Sequence, residues 1–235
     1  MAKLAKSPKI LAWHFLAESG KMAHRDTPVR TGKTYRCRGP ISLCGSGLHA
    51  SVRILEALNY APGSICCRVE MGGTIQHGDD KLCATSRKVL VIADITTILH
   101  EFACDVAEQA LTAAKVEDPR SWAAIEAKRK WLRGEITDEE LEAARDAARN
   151  AARVAAREAA GEAARNAAWA ATWATARDSR DAAWDAAWAA AWDATWAAAR
   201  DSRDAAWAAQ NTMLERRVLA AMGLAESGEE SDNER

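Results

Sequence analysis

The residue types most able to do chemistry lie in the first 60 positions of the chain. His49 follows a glycine turn, Gly45-Ser46-Gly47, and Ser51 and Tyr60 bracket a short segment of helical character behind it. Imidazole is the side chain whose charge changes most easily near neutral pH, so His49 and the earlier His14 are candidates for ligand binding. The pattern indicates no catalytic residue. The candidate ligand-binding residues are His14, His49, Ser51 and Tyr60.

Other kinds of site have little support in the sequence. No Ser-His-Asp order, P-loop or zinc-hydrolase motif is present. The six cysteines lack a Cys-x-x-Cys pair, the usual spacing of a zinc site, and Cys66-Cys67 lies in an apolar run typical of a strand core. We predict no metal and no cofactor. The alternative is a zinc site assembled from Cys37, Cys44, His49, His77 and Cys83.

Strands and one short helix are expected to position the candidate residues. Apolar and β-branched runs between turn signals predict four strands, in the first of which His14 also suits a core position. Residues 51–60 have the pattern of a short helix with Ser51 as its N-cap. This mixture predicts an α+β domain over residues 1–93. The four strands are expected at residues 9–16, 33–38, 64–71 and 88–93.

Connecting helices are predicted at residues 94–134. Asp94 is in position to cap a helix that carries one apolar stripe. Asp118-Pro119 gives the start signal of a second helix, because proline suits the first helical position. Gly134 is expected to end that helix.

Residues 137–222 are predicted to form one long helix rich in alanine and tryptophan. Thr137 and Glu140 form a capping box at its start, and an Ala-Ala doublet recurs every four residues from position 143 to 168. Each step of four residues overshoots a full turn by about 40°, so the alanine stripe favours right-handed winding. The alternative to a continuous, coiled-coil-like helix is a set of shorter helices folded back as a bundle.

A duplicated unit in this region carries most of the tryptophan. Residues 169–186 match residues 192–209 at 15 of 18 positions, and spacings of 4 and 11 keep the rings on one slowly winding face. Seven indoles cannot stay in water on a lone helix, so we expect them to pack within the chain or to join copies of it in a homo-oligomer. They are Trp169, Trp173, Trp184, Trp188, Trp192, Trp196 and Trp207.

Charge is balanced overall, with 32 basic and 33 acidic residues, but it is unevenly placed. The basic excess in residues 1–50 would allow contact with nucleic acid, which we do not favour. The acidic end, residues 223–235, is predicted to be disordered. No run of about 18 apolar residues is free of charge, so no membrane span is expected. The start lacks the apolar run of a signal peptide, which indicates a cytoplasmic protein.

Residues 10–92 resemble a domain of unknown function that occurs in many tailed-phage proteins. The resemblance is carried by Cys44-Gly-Ser-Gly-Leu-His-Ala50, by an Ala-Leu-x-Tyr helix ending at Tyr60, and by an Arg-Val-Glu-x-Gly-Gly strand before Asp80-Lys81. The alanine-rich remainder is similar to low-complexity helical tails in phage and immunity-type proteins. The resemblance implies a phage-encoded protein in the cytoplasm of the host cell, with no known activity.

A second resemblance is to ADP-ribosyltransferase-like folds. His14, residues 47–51 and Tyr60 follow the order of the strand histidine, the glycine segment and the later tyrosine of that fold. The resemblance implies that the histidine anchors a ribose and that the tyrosine stacks on nicotinamide. The catalytic glutamate has no counterpart, because Glu70 comes too early and Glu101 falls in a predicted helix.

These observations favour a non-catalytic phage accessory protein. We expect it to self-associate through the Ala/Trp-rich helix and to bind a ligand or a host protein with its small domain. An ADP-ribosyltransferase-like enzyme or nucleotide-binding protein is one alternative. A nucleic-acid-binding protein that uses the basic N-terminal region is another.

Overall fold

A computed structural model describes residues 9–22, 27–157, 162–197 and 200–224 of the chain. Within these ranges an antiparallel sheet in the N-terminal part is followed by helices, as predicted. The contacts divide the chain into two units. The first holds the residues up to Ile95 together with the segment from Glu215, and the second holds Thr96–Leu214.

The first unit contains one sheet and one short helix in its described residues before Ile95. The elements are β1 (Ile10–Leu16), β2 (Thr34–Arg36), β3 (Leu48–Ala50), α1 (Ile54–Asn59), β4 (Ile65–His77) and β5 (Leu82–Asp94). All strands pair antiparallel, in the order β1-β4-β5-β2, and β3 also pairs with β5. The four predicted strands are present near their expected places, while β3 was not predicted.

The end of β3 reaches back to β1 and closes a ring of strand pairings. The backbone N–H of Trp13 donates to the oxygen of Ser51 at 2.8 Å, and the N–H of Ser51 donates to the oxygen of Trp13 at 3.0 Å. The prediction that Ser51 caps a helix is therefore wrong, because its backbone is engaged in this pairing. Helix α1 begins at Ile54, and Arg53 is its N-cap residue without a side-chain capping bond.

Strands β4 and β5 are longer than predicted, because Gly72-Gly73 does not end β4. The pairing shifts register between Gly72 and Ile75, and the sheet continues beyond the irregularity. Gly73 has a φ of +77°, and a Cβ placed there would lie 2.2 Å from the Thr85 Oγ1. The glycine pair thus permits a bulge within a strand. Asp79 and Asp80 lie in the hairpin turn that follows.

One face of this sheet carries a hydrophobic cluster of the first unit. Alternate residues of β1 and β4, such as Ala12 with Leu16 and Cys67 with Val69, are buried together on this face. Cys66 is also fully buried, so the prediction that both adjacent cysteines belong to the strand core is confirmed. Because side chains alternate along a strand, the residues between these core positions point to the opposite face.

The second unit is built from helices, and the predicted start signal at Asp118 and stop signal at Gly134 fall where expected. The Asp118 carboxylate accepts a hydrogen bond from the Arg120 N–H at 2.9 Å, and Gly134 follows the second helix with a φ of +72°. Asp94 is the last residue of β5, and the first helix of this unit begins two positions later at Thr96. The helices are α2 (Thr96–Ala113), α3 (Pro119–Leu132), α4 (Asp138–Arg157), α5 (Glu162–Ala174), α6 (Ser179–Ala197) and α7 (Arg200–Ala221), of which the last continues into the first unit.

The capping box at the start of α4 is present in full. The N–H of Glu140 donates to the Thr137 Oγ1 at 3.2 Å, and the N–H of Thr137 donates to the Glu140 carboxylate at 2.8 Å. These reciprocal bonds satisfy two donors that the first helical turn leaves without intrahelical partners.

The prediction of one continuous helix over residues 137–222 is wrong. The chain leaves the helical conformation at residues 175–178, and α6 then packs against α5 and α2. The Asp178 carboxylate accepts a hydrogen bond from the N–H of Asp181 at 3.0 Å and so caps α6. Asp and Ser favour such ends because their side chains bond to nearby backbone groups. Shorter helices, the stated alternative, are what the described residues contain.

Alanine rather than tryptophan fills the centre of the second unit. Ala167, Ala170 and Ala171 of α5 are inaccessible to solvent and pack with α2 residues such as Ala103 and Ala107. Small side chains allow the helix backbones to approach closely, and the alanine doublets lie where the helices pack against one another.

The tryptophans lie around this alanine centre and contact one another. Trp169 and Trp173 stack with ring centroids 6.5 Å apart, and Trp184 meets Trp207 edge to face at 5.4 Å. All four are partly exposed, and Trp188 is 50% exposed. The side chains of Trp192 and Trp196 lie outside the described residues.

Two further predictions concern the C-terminal tail and a membrane span. Most of the predicted disordered tail, residues 225–235, lies outside the described residues. Among the described helices, none has the length and apolar character needed to cross a membrane.

Candidate ligand-binding site

The first unit contains a cavity of about 660 Å³ between β1, β3, β5 and the loop before β3. All four residues predicted from the sequence to bind a ligand line this cavity. The structure therefore brings together side chains that stand up to 46 positions apart, while their role in binding stays a prediction. These residues are His14, His49, Ser51 and Tyr60.

Arg87 and His14 border the cavity from the core face of the sheet. Arg87 of β5 pairs with Met71 of β4 and with Tyr35 of β2. His14 of β1 pairs with Cys67 of β4. Directly paired residues of antiparallel strands point to the same face, and these three partners belong to the buried core. The sheet thus places an imidazole and a guanidinium on one side.

The Arg87 guanidinium is buried but only partly bonded. The side chain is 4% exposed, and its Nη1 donates to the oxygen of His49 at 2.9 Å. Its Nε–H finds no acceptor among the described residues. Burial lowers the pKa of Arg87 to about 10, so the group still carries its charge at neutral pH. A charged side chain that borders the cavity therefore has hydrogen-bonding capacity left over among the described residues.

His14 is neutral near pH 7 in this position. Burial is the main cause that holds its pKa well below the usual value, and the nearby charge of Arg87 and of His49 acts in the same direction. A neutral imidazole keeps one N–H donor and one acceptor nitrogen. The positive charge on this side of the cavity therefore comes from Arg87.

The loop before β3 forms another wall and positions His49. Gly47 has a φ of +123°, and a Cβ at this position would lie 2.2 Å from the Cys83 Sγ, so only glycine fits. The Ser46 hydroxyl donates to the oxygen of Pro40 at 2.7 Å. One imidazole nitrogen of His49 lies 3.3 Å from the oxygen of Ser42. The close approach of Cys83 therefore explains why glycine is required in the turn before His49.

Tyr60 lies at the exposed side of the cavity. The side chain is 49% exposed, its hydroxyl donates to the Asp80 carboxylate, and the Lys81 Nζ lies 4.4 Å from the ring centroid. The hydrogen bond to Asp80 raises the pKa of Tyr60, so the phenol stays protonated. The aromatic ring of Tyr60 and the ammonium group of Lys81 therefore both lie at this side of the cavity.

The lining is basic, a property that was not predicted from the sequence motifs. Among the described residues that line the cavity, four carry a positive charge and none is Asp or Glu. Arg87 was missed because the predicted strand began one residue later. Arg87 lies two positions before the buried Val89, and this spacing places its side chain on the inward face of β5. The alternation of a charged residue with a buried strand residue is the sequence signal that would have identified it. The four are Lys33, Arg36, Lys81 and Arg87.

A metal site finds no support in the described part of the chain, where no group of three or more His, Cys, Asp or Glu side chains is placed to hold an ion. Of the residues considered for zinc, Cys37, Cys44 and His49 line the cavity. Cys83 is buried and donates to the oxygen of Ser46 at 3.2 Å, while His77 is exposed at the end of β4.

Glutamates that could serve an ADP-ribosyltransferase-like reaction are absent from the described cavity lining. Glu70 forms an ion pair with Lys9 at 2.7 Å and alternates with the core residues Val69 and Met71, so it lies on the opposite face from His14. Glu101 is exposed within α2.

The fold and the cavity define an antiparallel α+β domain with a basic pocket. Residues 16–101 match the family model of a domain of unknown function, DUF7666. The match covers β2 to β5 and α1, which supply most of the cavity lining, but it begins just after His14. No curated protein and no solved structure matches the chain. The resemblances to phage proteins and to ADP-ribosyltransferases stay predictions.

Proposed function

We propose that the first unit is a binding domain for a small anionic ligand that pairs with Arg87 in the cavity. The observation that carries this proposal is a guanidinium that is 4% exposed, borders the cavity and has an Nε–H without an acceptor in the described residues. Buried cations are normally paired, because the removal of a charge from water costs several kcal/mol. A bound anion supplies the missing partner.

The surroundings of Arg87 favour the same ligand class. Lys33, Arg36 and Lys81 add positive charge to the lining, whose described residues include no Asp or Glu, while the Asp80 carboxylate lies beside Tyr60 and Lys81 at the exposed side. A concave surface lined by one sign of charge raises the local concentration of the opposite sign. The cavity volume lies within the range of about 300–1,000 Å³ that is usual for small-molecule sites.

Isothermal titration calorimetry of the full chain against phosphate, sulfate, acetate and citrate tests this function. We expect saturable binding of at least one of these anions at millimolar concentration or below. Arg87→Met should weaken that binding about tenfold or more, because a hydrogen bond to a charged group contributes about 1.5–3 kcal/mol. Arg38→Met changes an exposed arginine outside the lining and is the matched control. The proposal is wrong if no anion binds, or if both variants bind like the parent protein.

The nucleotide-binding alternative is compatible with this ligand class, and the half-exposed ring of Tyr60 provides a surface for a planar base. The enzyme alternative has less support, since the glutamate implied by the resemblance has no counterpart in the described lining. The nucleic-acid alternative is also weaker. Lys33 and Arg36 belong to the basic N-terminal region, but they line a concave cavity that suits a small anion better than a duplex.

For the second unit we propose self-association through its exposed tryptophan surface. Trp188 is 50% exposed, and Trp184 lies one helical turn before it on α6, so the two rings are neighbours on the same face. Together with the small domain, this surface fits a non-catalytic accessory protein that joins copies of itself or a host partner. The phage origin implied by the resemblance would place it in the cytoplasm of the host cell.

Light scattering coupled to size-exclusion chromatography tests the self-association. We expect a dimer or larger species at micromolar concentration, and Trp188→Gln should shift it towards the monomer. Val52→Gln removes a similarly exposed apolar residue, 52% exposed in the first unit, and should leave the mass unchanged. A parent protein that is monomeric at every concentration contradicts this proposal.

A further inference from the structure

We infer that the anion held at Arg87 is the phosphate group of a phosphorylated small molecule. This inference rests on the proposed function and adds the chemical class of the ligand. It depends on three features of the cavity: the number of positive charges, the donors that Arg87 has left, and the space beyond them.

The first feature is the charge of the lining. Lys33, Arg36, Lys81 and Arg87 contribute four positive charges, and the described lining residues contribute no negative charge. A monocarboxylate would neutralise one of the four. A phosphate monoester carries a charge between about −1.5 and −2 near pH 7, so it matches the lining better.

The second feature is the donor geometry of Arg87. Its Nη1 is bonded to the oxygen of His49, whereas its Nε–H has no acceptor in the described residues. The guanidinium is a planar fork whose Nε and second terminal nitrogen can bind two oxygens of one phosphate. His14 lies on the same face of the sheet with a neutral imidazole, which can donate to a third oxygen without adding charge.

The third feature is the size of the cavity. A free phosphate ion would occupy a small part of the 660 Å³. The lining also holds Leu43, Leu48 and the ring of Tyr60, which offer apolar surface to the rest of a ligand. The cavity therefore suits a phosphate attached to an organic body, with the phosphate at Arg87 and the body towards Tyr60.

Calorimetric titration of the full chain with four probes tests the inference: inorganic phosphate, ribose 5-phosphate, ribose, and ribonate, which carries a carboxylate on a five-carbon frame. We expect both phosphates to bind, ribose not to bind, and ribonate to bind at least tenfold more weakly than ribose 5-phosphate. Arg87→Met should reduce the affinity for both phosphates at least tenfold, and Arg38→Met should change it less than twofold.

The failures of the two proposals can be told apart. Ribonate binding as tightly as ribose 5-phosphate, with dependence on Arg87, would overturn the phosphate inference and leave the anion-binding function standing. Ribose binding as tightly as ribose 5-phosphate would also overturn the inference. No binding of phosphate, sulfate, acetate or citrate would overturn both.

A second pair of variants covers the case in which Arg87→Met does not fold. Arg87→Lys keeps the charge but loses the planar fork, and Lys33→Met removes an exposed charge from the lining. Circular dichroism reports whether each variant is folded. We expect Arg87→Lys to weaken ribose 5-phosphate binding at least fivefold and Lys33→Met to weaken it at least twofold. Unchanged affinity in both folded variants would overturn the inference.

Discussion

Arg87 in the first unit and Lys128 in the second are both buried basic side chains, but the fold satisfies their hydrogen-bond donors to different extents. Lys128 in the second unit is inaccessible to solvent; its Nζ donates to the oxygen of Ala176 at 2.7 Å and lies 3.8 Å from the ring centroid of Trp131. Arg87 in the first unit is 4% exposed, has one bond to a backbone oxygen, and borders a cavity with its Nε–H unbonded in the described residues. Burial alone therefore does not separate structure from function.

This difference in hydrogen bonding indicates which of the two buried charges has a structural role. Lys128 satisfies a carbonyl at the point where α5 ends, so its partners belong to the fold. Arg87 has hydrogen-bonding capacity that the described part of the fold does not use, which is expected of a group that binds a ligand. Three predictions test this comparison through the stability of each unit.

The largest effect is expected from truncation of Lys128. Lys128→Ala should lower the free energy of unfolding by about 3–4 kcal/mol, because it leaves a sealed void, a buried carbonyl without its donor and an indole without its cation. Chemical denaturation followed by the helical circular dichroism signal measures the change. Lys130→Ala, an exposed lysine on the same helix, should change it by less than about 0.5 kcal/mol. Equal losses in the two variants would contradict a structural role for Lys128.

The next effect is the acid sensitivity of the same buried region. His100 lies edge to face with Trp131 at 5.6 Å. Burial, with a smaller contribution from Lys128, lowers the pKa of His100 from 6.5 to about 4. The unfolded state therefore binds more protons below pH 6.5, so stability is complete above this pH and falls towards pH 4, by about 3 kcal/mol in total.

Denaturation at pH 7, 5.5 and 4.5 checks this pH dependence. His100→Phe keeps an aromatic ring against Trp131 and should flatten the acid limb, although His14 adds a dependence of the same sign in the first unit. His77→Phe, an exposed histidine on the sheet, is the control. An acid limb that is as steep in His100→Phe as in the parent would show that His100 is not its source.

The smallest effect on stability is expected at Arg87. Arg87→Ala removes one hydrogen bond to a backbone oxygen, but it also removes a charge that is costly to bury, and it opens no sealed void because the side chain borders a cavity. The free energy of unfolding should therefore change by no more than about 1 kcal/mol in ligand-free protein. A loss as large as that of Lys128→Ala would make Arg87 a structural residue and would remove the contrast between the units.

Local signals predicted much of the fold. The capping box of Thr137 and Glu140, the N-cap Asp118 and the stop at Gly134 all depend on residues within one or two helical turns, and all are present. Ser51 failed as a cap because its backbone pairs with Trp13, a contact between residues 38 positions apart. Such long-range pairings leave no periodic signal in the sequence.

The repeated pentapeptide Arg-Asp-Ser-Arg-Asp also shows that local sequence alone does not determine where a helix ends. In the first copy, residues 177–178 are not helical and α6 begins at Ser179, whereas the second copy lies within α7 from Arg200. The two copies are identical in sequence, so their local propensity is the same. The first copy follows the carbonyl that Lys128 binds, and its tertiary surroundings therefore decide where the helix ends.

The candidate site was only partly predictable for the same reason. His14, His49, Ser51 and Tyr60 were selected by residue type and by the glycine turn, and they line one cavity. The positive lining was not predicted, because the inward direction of Arg87 depends on the register of β5 with β2 and β4. A charge at an inward strand position is the signal that identifies it.

The nitrogen–proton correlation spectrum of the arginine Nε–Hε groups tests the central claim most directly. The Arg87 signal can be assigned by its absence from Arg87→Lys, and inorganic phosphate or ribose 5-phosphate is then titrated into the full chain. We expect the Arg87 Nε–Hε resonance to move saturably as its proton gains an acceptor, while the Arg38 resonance stays in place. An Arg87 resonance that does not move up to tens of millimolar of either phosphate would contradict anion binding at Arg87.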